Sequence, residues 1–139
     1  MKTVIATTKE QSRRLLACGV SPDTADMIGI EPNYGYKCEP WSSMQGQDTS
    51  GYFPAWSLSA LLSLLPTSIL SPMGNEYMLE LSNLRMHDAW EVQWFNGRER
   101  FRTYDKQKVF HKLWDKSPIE ACVKAIEWLT ANGYKLNGQ

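Results

Sequence analysis

Two residue types in this chain can do nucleophilic or acid–base chemistry near neutral pH, and their placement decides whether they do. The cysteines are Cys18, Cys38 and Cys122, and the histidines are His87 and His111. A thiolate–imidazole pair needs one of each within hydrogen-bond reach. Cys122 falls on a helix face that reads as buried, and Cys18 falls at a helix end. Cys38 is therefore the one plausible nucleophile, and none of the three stands in a local signature of a thiol enzyme. His87 is followed by Asp88, in a turn between two expected strands. An aspartate can orient a neighbouring imidazole, but both residues are also ordinary turn chemistry. Asp23 and Asp26 are explained by the dipole at the start of a helix. Two histidines without clustered ligands argue against zinc, and no glycine-rich phosphate loop is present. The chain reads as a non-enzyme without cofactor or metal.

Two other groups have the chemistry of binding. The first is aromatic: Tyr34, Tyr36, Trp41, Tyr52, Phe53 and Trp56 crowd into residues 29–56 with prolines and glycines. Tyr34, Tyr36, Trp41 and Tyr52 are candidates for a pocket or a protein-binding surface. The same rings would serve equally as a lid over one end of the core. The second group is basic. Arg98, Arg100 and Arg102 recur at every second residue and so leave one face of a strand, and Lys106, Lys108 and Lys112 follow with Tyr104 between. A basic ribbon carrying an aromatic suits a phosphate backbone. Yet Glu76, Glu80 and Glu91 are expected on that same outer face, and such a ladder neutralises the stripe. The formal net charge is zero. Nucleic acid is therefore the second choice of partner, behind protein contacts or self-association.

The elements that position these residues follow from caps and periods. A chain of 139 residues is one domain, and residues 1–139 are read so. Six Trp and six Tyr give it large anchors. Thr7 and Glu10 fit a capping box for a helix from about Thr8 to Ala17, with Gly19 as its stop. Ser21, Pro22 and Asp23 look like the start of a second, short helix reaching about Ile28. Residues 29–56 show neither period, beyond a short strand pair around Tyr34–Glu39. Ser57 caps a third helix whose apolar stripe is Leu58, Leu61, Leu62 and Leu65, ended by Pro66.

Tyr77, Leu79 and Leu81, then Trp90, Val92 and Trp94, alternate with polar or flexible residues as half-buried strands do. Asn96-Gly97 is the strongest short hairpin signal. It sets Val92 opposite Phe101 and Glu91 opposite Arg102. Ser117, Pro118 and Glu120 open a last helix to about Ala131, stopped by Asn132-Gly133. Its stripe is Ile119, Cys122, Val123, Ile126 and Leu129. Trp128 lies off that stripe, and either packs under another element or marks a contact surface.

The expected fold is α+β, a three-stranded antiparallel meander with helices packed on its apolar face. The uncharged run from Thr49 to Asn75 is long enough to raise a membrane span, but Pro54, Pro66, Pro72 and its serines and threonines argue against one. Unpaired cysteines and the lack of a long apolar N-terminal run point to a reducing, cytoplasmic setting.

Several phrases together carry a resemblance. They are Thr8-Lys9-Glu10-Gln11 with Leu15-Leu16, the run Asp23 to Met27, the run Pro54 to Pro66, and Glu120 to Leu129 with Asn132-Gly133-Tyr134. In these the chain resembles small uncharacterised proteins carried by prophages and mobile elements of gut Bacteroides-type bacteria. The resemblance implies a bacterial cytoplasmic setting and an accessory, phage-type role. Its motifs are structural, so it transfers no site residue.

Overall fold

The computed structural model describes residues 5–31, 35–84, 88–95 and 109–139. Three α-helices, α1 (Lys9–Ala17), α2 (Leu58–Leu64) and α3 (Pro118–Ala131), accompany two antiparallel sheets. The smaller sheet holds β1 (Met27–Ile30), β2 (Gly35–Lys37) and β3 (Tyr52–Ala55) in the order β2-β1-β3. The larger holds β4 (Ser68–Leu70), β5 (Glu76–Leu84), β6 (Ala89–Phe95) and β7 (Val109–Asp115) in sequential order. The fold is α+β.

Each helix starts where its cap chemistry dictates. Ser117 Oγ accepts the Glu120 N–H at 3.2 Å, and Pro118 follows at the first helical position. Ser57 Oγ accepts the Ala60 N–H at 3.2 Å, while Asp26 accepts the Ser57 N–H at 2.9 Å. Along α2 the buried residues are Leu61 and Leu64, followed by Leu65 at its end; Leu58 and Leu62 are half-buried. The α1 capping box lies one residue later than Thr7 and Glu10 suggest. Thr8 Oγ1 accepts the Gln11 N–H at 3.2 Å, and Gln11 Oε1 accepts the Thr8 N–H at 2.9 Å. Thr7 is not free to cap, because its hydroxyl is fully buried. It accepts the Trp56 N–H at 3.0 Å and shares a 2.8 Å hydrogen bond with Ser12.

The helix expected after Ser21 is a single 3-10 turn, Pro22–Thr24. The chain then becomes extended and pairs as β1 with β2 on one side and β3 on the other. The turn closes two backbone hydrogen bonds, Thr24 N–H to the Ser21 carbonyl and Ala25 N–H to the Pro22 carbonyl, at 3.1 Å each, and beyond it two-sided pairing satisfies the backbone groups. Gly29 is the centre of β1, opposite both Tyr36 and Phe53. The Phe53 ring lies so close that a Cβ on Gly29 would stand 2.1 Å from its Cζ. A glycine is required for that ring to lie flat across the strand.

The larger sheet corrects the hairpin drawn from Asn96-Gly97. Val92 pairs with Leu81 of β5 on one side and with Leu113 of β7 on the other. Both hydrogen-bonding edges of β6 are taken, so Phe101 has no place opposite Val92. Glu91 likewise faces Ser82 and Trp114, not Arg102. The meander is therefore 68–70, 76–84, 89–95 and 109–115, four strands in place of three. Residues 96–108, with Asn96-Gly97 itself, lie outside the described residues.

Strand alternation sorts the two faces of this sheet. Tyr77, Leu79, Leu81, Val92, Trp94 and Leu113 point inward, and α3 packs across β6 and β7. They share one core with Leu15, Trp56, Leu61 and the buried stripe of α3. A small second cluster, Ala6, Met27 and Ala55 with Tyr36 and Phe53, closes the smaller sheet.

Two outcomes test this packing. Thr7→Val strands the buried Trp56 N–H and the Ser12 hydroxyl, and a urea midpoint should register a loss of about 1–3 kcal/mol. Gly29→Ala is expected to cost about 1–3 kcal/mol by overpacking. In a Phe53→Ala background most of that cost should vanish; strictly additive double-mutant energies would show that the ring is not what excludes a side chain at position 29.

Candidate functional site

Among the described residues, the aromatic candidates of 29–56 do not form one surface. Tyr36 lies on the same face of the smaller sheet as Gly29 and Phe53. Its hydroxyl donates towards the carbonyls of Ala6 and Thr7, at 3.2 and 3.1 Å, and its ring meets Phe53 edge-on at 6.5 Å. Burial raises its phenol pKa above the usual value. Tyr52 pairs with Ile30 and so points from the opposite face, where Lys37 Nζ sits 5.1 Å from its ring centroid. Trp41 begins a 3-10 turn, donates its N–H to the Ala25 carbonyl at 3.1 Å, and packs against the main core. Trp56 is fully buried, with its indole N–H donated to Thr24 Oγ1 at 2.9 Å. Tyr34 lies outside the described residues. The rings thus divide between two cores and two sheet faces.

Of the two roles open to Trp128, packing under another element is the one the structure shows. His111 of β7 lies flat against it, with ring centroids 4.2 Å apart and planes 6° from parallel. Trp94 and Tyr134 stack on it at 5.5 and 5.7 Å. This seam holds α3 to the sheet and to the chain beyond the helix. The Trp94 indole N–H is buried here with no hydrogen-bond partner among the described residues. Leaving that donor unmatched costs about 1–3 kcal/mol. Burying an indole of roughly 150–250 Å² gains about 4–6 kcal/mol, so packing wins.

The nucleophile and acid–base candidates are spread through the fold. Cys122 is fully buried in α3, and burial pushes its thiol up to about 12. Cys18 is the C-cap of α1, and Cys38 is exposed just after β2. His111 is held against Trp128, and burial lowers its pKa below the usual imidazole value. Asp26 is spent on the cap of α2. Among the described residues no three His, Cys, Asp or Glu side chains cluster as a metal site. His87 lies outside the described residues, as do Arg98, Arg100, Arg102, Lys106 and Lys108 of the basic candidate. Lys112 is described, exposed, and paired across from Gln93. Also among the described residues, no helix is long and apolar enough to cross a membrane.

What the sequence reading missed is the outer face of the larger sheet. Leu70, Met73 and Met78 are 60%, 89% and 46% exposed, and Trp114 is 58% exposed. Leu70 faces Glu76, two residues before Met78, so these two side chains leave the same face as diagonal neighbours. Met73 lies in the turn that joins their strands. Trp114 stands two strands away, opposite Glu91. Between them lie Glu80, Gln93 and Lys112, with Gln93 Nε2 donating to Glu80 Oε2 at 3.4 Å. The available signal was the alternation of Leu113 with Lys112 and Trp114. The Asn96-Gly97 turn signal masks it, because that hairpin sets Arg102 and not Trp114 opposite Glu91.

Two measurements follow. Native protein treated with a maleimide should label rapidly at Cys38, while Cys122 stays unmodified until denaturant is added; prompt native labelling of Cys122 would contradict its burial. The second concerns acid. The folded-state pKa of His111 lies below its unfolded value of about 6.5, so the unfolded chain takes up this proton first. The stability that His111 contributes is complete above that value and is lost as pH falls through the folded-state pKa. His111→Phe keeps a flat ring against Trp128, and urea midpoints between pH 7 and 5 should fall less steeply than in the parent. Equal slopes would mean that His111 titrates alike in both states.

No protein-family model matches the chain, and neither a curated protein nor a solved structure shows significant similarity to it.

Proposed function

We propose that the protein is a non-enzymatic binding module that meets another protein, or a second copy of itself, through the outer face of the four-stranded sheet. One observation carries the reading: four large apolar side chains, Leu70, Met73, Met78 and Trp114, stand exposed on or beside that face. Singly exposed apolar residues need no explanation, but grouped ones do. Leu70, Met73 and Met78 gather at one end, where flexible methionines adapt to a partner's shape. Trp114 adds a rigid anchor of the type that dominates interface energies.

Distance decides whether one partner can use both. With strands about 4.8 Å apart and residues about 3.4 Å apart, Met78 and Trp114 are separated by roughly 17 Å across the sheet. A standard interface of about 800 Å² per partner is roughly 30 Å wide. One contact therefore covers the whole diagonal, with Glu80, Gln93 and Lys112 supplying polar groups within it. The phage-type accessory role rests on the sequence resemblance, and the cytoplasmic setting on that resemblance together with the unpaired cysteines.

The test is a variant carrying Met78→Ser and Trp114→Ser. Both side chains are about half exposed, at 46% and 58%, so the melting temperature should fall only slightly. Affinity for a partner captured from host extract, or the self-association constant from sedimentation, should weaken by about thirtyfold or more, the equivalent of one hot spot worth 2 kcal/mol. Unchanged association, or a sharp fall in melting temperature, would overturn the proposal.

A further inference from the structure

We draw no further inference here: the strongest candidate outside the sheet face, the open cleft of about 390 Å³ between α2, the turn before β1 and the C-terminal segment, carries nothing because Thr24, Asp26, Ser63 and Asn137 on its walls already spend their polar groups on hydrogen bonds within the fold.

Discussion

The structure depends on covering one helix. α3 buries Ile119, Ala121, Cys122, Val123, Ala125, Ile126 and Leu129, an arc too wide for a single neighbour. A sheet face covers part of it, and α1 and α2 cover the rest. A 14-residue helix is marginal by itself in water, so α3 exists because these neighbours exist. Each large side chain buried there is worth about 1.5–3 kcal/mol at most. Four such residues rival the 5–15 kcal/mol that a whole domain retains. The inward residues of β6 and β7, the leucines of α2 and the single buried leucine of α1 are consequences of that requirement.

Apolar burial fixes that these elements meet, and polar contacts fix how. Arg14 of α1 reaches both Glu120 and Glu127 of α3, two turns apart, and Gln11 donates to Glu120 at 3.1 Å. Hydrogen bonding to Glu127 is the largest influence holding the guanidinium charged. All three side chains are partly shielded from water, so the fork is stronger than an exposed pair and its geometry selects one sliding position. At the other end of α1, the Thr7 hydroxyl bonds the Trp56 backbone, and Thr7 N–H donates to the Trp56 carbonyl at 2.9 Å. The entry to α1 is thereby tied to the exit of β3, and β3 leads directly into α2.

These couplings explain which parts of the fold are readable from sequence. The bounds of α3 and the end of α1 are legible because Ser117, Pro118, Asn132 and Gly133 for the one, and Gly19 for the other, act on backbone groups within a few residues. Thr7 and Thr8 are chemically alike, and what separates them is Trp56, some fifty residues away, so the cap is misplaced by one. β1 is illegible for a related reason. Gly29 breaks the alternation of apolar side chains, and its cause is the Phe53 ring on a strand it has not yet met. The turn signal at Asn96-Gly97 is strong locally, but the pairing of β6 is decided by Leu81 and Leu113 together. A local rule cannot count the edges of a strand.

The candidate surface was hidden by the same substitution of one strand for another. A hairpin closed at Asn96-Gly97 puts the arginines on the outer face beside β6 and leaves Trp114 without a side. Once Leu113 pairs with Val92, alternation sends Trp114 outward beside Glu91. The aromatic residues of 29–56 moved the opposite way. Their number suggested a surface, yet Tyr36 is bonded to the chain entering α1, Trp41 packs on the core, and Trp56 lies beneath it. Aromatic content is therefore a poor guide to binding in this chain, because most of the rings described here pack its cores. The informative residues are the few large side chains that the core does not claim, and among the described residues these include Trp114 and the Leu70–Met78 group.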